Sequence, residues 1–130
     1  MMLVDDEERF LQTTSKLLRK KGLEVVTALS GFEALERLET EPIHVVILDV
    51  KMPGMDGAEA LKEIKRRFPL VEVIMLTGHA TVEAAIEGLR SGAADFLMKP
   101  TDPDEIIQKA REAFDRYVKM GEKIRTAQMK

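Results

Sequence analysis

The feature that most constrains the fold is an alternation of five short apolar runs with five amphipathic stretches. Runs that are short and almost continuously apolar are typical of parallel strands covered on both faces. These runs lie at residues 1–4, 24–28, 44–49, 71–77 and 94–98. In the stretches between them, apolar side chains recur every three or four residues, as on one face of a helix. The predicted helices lie at residues 7–20, 32–39, 57–68, 81–90 and 104–118. Five strand–helix repeats predict a three-layer α/β fold around one parallel sheet.

Length and composition narrow the class of protein. The chain has 130 residues, which fits one domain. It contains no cysteine, which excludes disulfides and thiolate metal sites. No apolar run approaches the roughly 20 residues that cross a bilayer, and no signal peptide pattern is found, so we expect a cytoplasmic protein without membrane contact. Because 23 acidic residues outnumber 20 basic ones, direct nucleic-acid binding by this chain is not expected.

Polar residues follow four of the five predicted strands. Asp5 and Asp6 follow the first run, Asp49 ends the third, Thr77 ends the fourth, and Lys99 follows the fifth. In an open parallel sheet, function gathers at the carboxyl ends of the strands. The predicted fold therefore brings these five residues from distant segments to one rim, and this convergence is the main argument for a functional site.

The chemistry of this set favours metal-assisted phosphoryl transfer. Three carboxylates in close proximity repel one another and need a cation or a raised pKa. An oxygen-only cluster beside a phosphate suits Mg²⁺, with Asp6 and Asp49 as direct ligands and Asp5 binding directly or through water. A carboxylate can also act as a nucleophile and form an aspartyl-phosphate, and Asp49 ends the most apolar run, so it is the best fixed of the three. Lys99 would help to neutralise charge on the transferring oxygens, and the Thr77 hydroxyl could donate to one of them.

Four motifs give the chain a specific resemblance. They are LVDDE at 3–7, LDVKMPGMDG at 48–57, LTGHA at 76–80 and DFLMKP at 95–100. In this order and spacing they resemble a response-regulator receiver domain of two-component signalling, over residues 1–118. The resemblance implies a flavodoxin-like sheet of five strands in the order 2-1-3-4-5, flanked by five helices.

The resemblance also implies roles for single residues. It identifies Asp49 as the phosphoacceptor and adds the backbone carbonyl of Lys51 as a further metal ligand. Thr77 corresponds to the signalling hydroxyl and Lys99 to the lysine beside the phosphoryl group. Phe96 corresponds to the switch aromatic, where a tyrosine is common; phenylalanine can rotate inward but has no hydroxyl to bond with there.

A switching mechanism and a set of partners follow from the resemblance. The phosphodonor would be a phosphohistidine on a histidine kinase or a phosphotransfer protein. Phosphorylation would draw Thr77 inward, Phe96 would fill the vacated space, and the face formed by the fourth helix, fifth strand and fifth helix would bind a partner or form a homodimer. Val82, Ala85 and Leu89 are the candidates for exposed apolar contacts on that face. Residues 119–130 are polar and are expected to form a helix extension or a linker.

Two other functions remain open from the sequence. An aspartyl-phosphate phosphatase could use a similar sheet, but such enzymes commonly carry a second acid two residues after the nucleophile, where this chain has Lys51. A pseudo-receiver that serves only as an interaction module would not need the complete set of acids, threonine and lysine. The sequence therefore favours a phosphoacceptor that catalyses only its own phosphorylation and dephosphorylation over an enzyme that turns over substrate.

Overall fold

The computed structural model of the protein describes residues 1–50, 52, 54–78 and 82–128, with the backbone alone described for Val82. Within these residues, five parallel strands form one sheet in the order 2-1-3-4-5, which confirms the predicted fold. The strands are β1 (Met2–Val4), β2 (Val26–Ala28), β3 (Val45–Leu48), β4 (Glu72–Thr77) and β5 (Asp95–Met98). The helices are α1 (Glu8–Lys20), α2 (Gly31–Thr40), α3 (Gly57–Arg67), α4 (Val82–Arg90) and α5 (Pro103–Gln128).

The sheet separates two apolar cores. Alternate residues of a strand point to opposite faces, so Leu48 and Met75 pack on the side of α2 and α3, whereas Ile47 and Leu76 pack on the side of α1 and α5. All four residues of β3 are buried, because β3 is the central strand and both of its faces are covered. The carboxyl end of this strand is therefore a firmly held part of the molecule.

Side-chain caps fix the start of two helices near the sheet's carboxyl edge. The Ser30 hydroxyl accepts from the Glu33 backbone N–H at 3.1 Å, and the Glu33 carboxylate accepts from the Leu29 N–H at 3.1 Å, an arrangement close to a capping box. At the start of α3, the Asp56 carboxylate accepts from the Glu59 N–H at 2.9 Å. These caps determine where the loops before α2 and α3 end.

The fifth helix is longer than the predicted helix at 104–118. It starts at Pro103, where a missing N–H costs nothing, and continues through Gly121 to Gln128. Lysine, glutamate, arginine, methionine and alanine are good helix formers, and together they outweigh the roughly 1 kcal/mol that one interior glycine costs. No helix among the described residues is long and apolar enough to span a membrane.

Candidate functional site

Four segments converge at the carboxyl edge of the sheet. Asp5 directly follows β1, Asp49 follows β3, Thr77 is the last residue of β4, and Lys99 follows β5. These strands are adjacent in the order β1-β3-β4-β5, so the four residues occupy consecutive positions along one rim. The predicted convergence is therefore present in the structure.

The three carboxylates form one cluster. One carboxylate oxygen from each of Asp5, Asp6 and Asp49 lies within 4.8 Å of the other two. Asp5 and Asp49 are 1% and 7% exposed, whereas Asp6 is open to solvent. Like charges held this closely, two of them largely buried, favour a bound cation, and a set made only of oxygens matches the preference of Mg²⁺. The residues present therefore fit the predicted metal.

Asp5 is held at both of its carboxylate oxygens. Oδ1 accepts from the Glu7 backbone N–H at 2.9 Å, and Oδ2 accepts from the Lys99 ammonium at 2.5 Å. The Lys99 ammonium also lies 3.8 Å from the Glu7 carboxylate, which is largely exposed. The Lys99 side chain itself is only 17% exposed, so its pair with buried Asp5 is shielded from solvent. This pair joins the first and last strands of the site.

The backbone at Asp49 is fixed from two directions. Its N–H donates to the Val4 carbonyl at 3.0 Å, which extends the pairing of β1 and β3 by one residue. On the other side, the Gly57 N–H donates to the Val50 carbonyl at 2.7 Å. A methyl group on Gly57 would overlap the Asp49 carbonyl oxygen and the Val50 backbone, so only glycine fits there. The start of α3 is thus packed directly against the segment that carries Asp49.

Thr77 and Lys99 are linked through the backbone. The Lys99 N–H donates to the Thr77 carbonyl at 2.9 Å, and the Thr77 side chain is 1% exposed. The next residue, Gly78, approaches Lys99 as well: a methyl group on it would sit 3.9 Å from the Lys99 Cβ, an ordinary contact. The Lys99–Pro100 peptide bond is cis.

The predicted switch face is apolar in part. Phe96 is half-buried and packs against the core on the side of α2 and α3. Leu89 is 49% exposed, as expected of a contact residue, but Ala85 is partly buried. Ile86, on the same helix, is 45% exposed. The short helix α4 therefore leaves two large aliphatic side chains, those of Ile86 and Leu89, exposed to solvent.

Several predicted features lie outside the described residues. They are the backbone carbonyl of Lys51, the loop from His79 to Thr81, and the side chain of Val82. Their roles remain predictions.

The sequence reasoning missed one residue at the site. The Phe10 ring lies under the Lys99 ammonium, with 4.1 Å between Nζ and the ring centroid. The available signal was its spacing: Phe10 comes one helical turn after Asp6, so it belongs to the turn of α1 nearest the rim.

The sequence of this chain is similar to those of one known protein family. Residues 1–111 match the response regulator receiver domain family. The chain is 38% identical over 115 residues to the DNA-binding transcriptional regulator NtrC of Klebsiella pneumoniae, covering 88% of this chain and 24% of that protein. It is 40% identical over 106 residues to the transcriptional regulatory protein ZraR of Escherichia coli, covering 82% of this chain and 24% of that protein. The chain thus spans about a quarter of the length of these relatives.

Solved structures agree with this result. A CheY-like response regulator receiver domain protein from Methanospirillum hungatei superposes with a TM-score of 0.86 at 33% identity, covering 92% of this chain and 95% of that one. The receiver domain of NtrX from Brucella abortus gives a TM-score of 0.82 at 34% identity, covering 88% and 97%. Sequence and structure point to the same group of proteins.

Proposed function

The chain belongs to the response regulator receiver domain family, and from this premise we propose that it accepts a phosphoryl group on Asp49 with the help of Mg²⁺. A role as a signalling domain of a two-component system follows from the family. The metal, the acceptor residue and the responding face are specific to this proposal. The observation that carries it is the acid cluster of Asp5, Asp6 and Asp49, with the Lys99 ammonium paired to one of its members.

Asp49 is the proposed nucleophile. One of its carboxylate oxygens would attack the phosphorus of the donor, and the new oxygen–phosphorus bond would form as the bond to the leaving group breaks. The leaving group, an imidazole of a phosphohistidine or the carboxylate of a small acyl phosphate, would depart with the electron pair. The central position of β3 and the hydrogen bond from the Asp49 N–H to Val4 support this choice, because they hold the nucleophile in place.

The acid cluster would hold the metal. Asp6 and Asp49 would bind Mg²⁺ directly, Asp5 directly or through water, and the Lys51 carbonyl would complete the protein ligands. When bound, the ion supplies positive charge that offsets the negative charge of the carboxylates and of the transferring phosphoryl oxygens. Both carboxylate oxygens of Asp5 accept hydrogen bonds, so Asp5 would supply a negative charge at a fixed position beside the metal.

Lys99 and Thr77 would bind the transferred group. The ammonium of Lys99 is already at the rim and would contact a phosphoryl oxygen by shifting from Asp5. The hydroxyl of Thr77 would donate to another oxygen, and this would draw the start of the β4–α4 connection inward. Thr77 and Lys99 are joined by a backbone hydrogen bond, so a change at one strand end would be transmitted to the other.

The responding surface would be formed by α4, β5 and α5. Exposed Ile86 and Leu89 on α4 and half-buried Phe96 on β5 support this proposal, since a shift of Phe96 would alter apolar surface beside them. A second copy of the chain or an output partner would bind there. Residues 1–118 would form the receiver, and the helical residues beyond would connect it to whatever it controls.

Intact-mass measurement tests the proposal. The protein is incubated with Mg²⁺ and acetyl phosphate, and a labile adduct of one phosphoryl group is expected. Asp49→Asn and chelation of the metal should each abolish the adduct. Asp56→Asn is the matched control, because Asp56 is a nearby carboxylate that caps α3 and lies outside the cluster. Steady phosphate release from varied monoesters would instead indicate a phosphatase, and neither adduct nor metal binding would indicate a pseudo-receiver.

A further inference from the structure

Among the residues that the structure describes, the Lys99 ammonium contacts three side chains of different character. Asp5 is a buried carboxylate at 2.5 Å, Glu7 is an exposed carboxylate at 3.8 Å, and Phe10 presents its ring face at 4.1 Å. Contact between an ammonium and a ring face is attractive because the face carries the negative part of the ring quadrupole. The lysine is thus held between a carboxylate and an aromatic ring.

The Phe10 ring is held in place by the core against which it packs. It lies in the first turn of α1, and its half-buried ring packs against the apolar core between the sheet, α1 and α5. A ring anchored in this way has few alternative rotamers, so it offers the ammonium a fixed surface. Glu7, by contrast, precedes the helix and its side chain is 69% exposed, so solvent screens its attraction for Lys99.

The need for an aromatic partner arises from the double use of Asp5. If the acid cluster takes up a divalent cation, that cation competes with Lys99 for the carboxylate of Asp5 and also repels the ammonium. The ring of Phe10 is a partner that neither a metal ion nor a phosphoryl group removes. An ammonium lying on the ring can therefore stay at the rim while its ion pair with Asp5 weakens.

We propose that Phe10 is a positioning residue for phosphoryl transfer, which keeps the Lys99 ammonium at the rim when the acid cluster is occupied by a metal ion. This inference rests on the proposed function. Under this proposal, the rate of phosphoryl transfer depends on the ring face at position 10 as well as on the acid cluster, Thr77 and Lys99. The ring contributes to that rate through its contact with the Lys99 ammonium.

The first experiment compares substitutions at position 10 by the initial rate of phosphorylation from acetyl phosphate at saturating Mg²⁺. Phe10→Leu keeps an apolar side chain but removes the ring face, and we expect the rate to fall about three- to tenfold, in line with the strength of ammonium–ring contacts. Phe10→Tyr keeps the ring and should restore most of the rate. Phe114→Leu is the matched control, because Phe114 is a half-exposed ring near His44, at the other end of the sheet.

A second arm separates ring electronics from packing. Ring fluorination of phenylalanine at position 10 weakens the negative face while nearly preserving shape, so the rate should fall stepwise as fluorine atoms are added. In a Lys99→Ala background the same replacements should have no further effect on the rate. A packing role for Phe10 predicts a flat rate across the fluorinated series, and that result would overturn the inference.

Nuclear magnetic resonance of the metal-free protein gives a readout that does not depend on phosphorylation. The protons on Cε of Lys99 should be shifted upfield by the ring current in the wild type and in Phe10→Tyr, and the shift should be lost in Phe10→Leu. If the wild-type protein accepts no phosphoryl group, the proposed function fails. If it does, and Phe10→Leu matches its rate or the upfield shift is absent, only this inference fails.

Discussion

At the scale of single residues, the negative carboxylates of the site lie beside the positive Lys99 ammonium, and each charge affects what the other can bind. Asp5 and Asp49 are buried acids, and the Lys99 ammonium, which pairs with Asp5, offsets part of their repulsion. Removing a partner from a buried pair leaves an uncompensated charge, which is costly. Lys99 therefore has two roles with opposite consequences for metal binding: it stabilises the empty cluster, and it competes with a cation for Asp5.

Substitution of Lys99 should separate these two roles. In Lys99→Ala, phosphorylation from acetyl phosphate should slow by about a hundredfold, because a group that binds the transferring oxygens is lost. Mg²⁺ should bind about three- to tenfold more tightly, because a positive charge near the cluster has been removed. Phosphorylation is measured by intact mass and Mg²⁺ affinity by titration calorimetry. Lys109→Ala, a change on α5 away from the cluster, is the control, and weaker Mg²⁺ binding in Lys99→Ala would contradict the account.

Gly57 gives a second test at this scale. A methyl group there would collide with the backbone that carries Asp49, so Gly57→Ala should lower the free energy of unfolding by about 2 kcal/mol, as overpacking does. Gly121→Ala is the matched control: it lies inside α5, where the added methyl would meet no other described part of the molecule within 4 Å beyond the adjoining helix backbone, and it should raise stability by about 0.5–1 kcal/mol. Both are measured by urea denaturation. Equal effects of the two substitutions would show that the close approach at Gly57 is unimportant.

At the scale of elements, an ion pair links the edge strand β5 to the helix α5. The Lys109 ammonium on α5 lies 2.9 Å from the Asp95 carboxylate on β5, and the Phe96 N–H donates to the other carboxylate oxygen at 2.8 Å. Burial opposes ionisation of Asp95, but the hydrogen bonds from Lys109 and Phe96 outweigh it, so the pKa of Asp95 lies below its ordinary value of 3.8. The pair thus helps to hold β5, the strand that carries Phe96.

This depressed pKa predicts a pH-dependent contribution to stability. A carboxyl whose pKa is lower in the folded state stabilises the fold above its unfolded pKa, and the contribution is lost as the pH falls through the folded pKa. Asp95→Asn should therefore be less stable than the wild type at pH 7, and the difference should disappear well below pH 3.8. Urea denaturation across this range measures it, with Lys109→Met expected to lose the same contribution. A difference that persists at the acid end would contradict this assignment.

The strands and helices also show which features the sequence could predict and which it could not. Short apolar runs followed by polar residues predicted the sheet and the rim, because parallel strands necessarily bring their carboxyl ends to one edge. Periodicity alone could not tell which side of α4 is covered: Leu89 is exposed as predicted, but Ala85, predicted to be an exposed contact beside it, is partly buried. The contact of Phe10 with Lys99 depends on two side-chain rotamers from distant segments, which no local pattern encodes.

At the scale of the whole molecule, we expect a chemical change at one edge of the sheet to alter one outer face. The rim lies at the carboxyl ends of the strands, and β4 and β5 run from it along α4 and α5. The strand β2 lies at the opposite edge of the sheet with α2 beside it, and β1 and β3 separate it from β4 and β5. Response to phosphorylation should therefore be confined to the lateral edge of the sheet that carries β4 and β5, with α4 and α5 beside it.

Hydrogen exchange can locate this response. On addition of Mg²⁺ and acetyl phosphate, amide exchange should change in α4 and β5, while β2 and the body of α2 should keep their rates. Thr77→Val should still accept a phosphoryl group but lose most of the exchange response, because the hydroxyl that draws the loop inward is gone. A uniform change across the sheet, or one confined to α2, would show that the α4–β5–α5 face does not report phosphorylation.

Of the three carboxylates in the acid cluster, we propose that the one on Asp49 receives the phosphoryl group. Borohydride reduction of the phosphorylated protein converts an aspartyl-phosphate to homoserine, and peptide mass spectrometry then identifies the modified position. We expect homoserine at residue 49 alone, formed only when Mg²⁺ is present. Modification at another residue, or formation that is unaffected by removal of the metal, would contradict it.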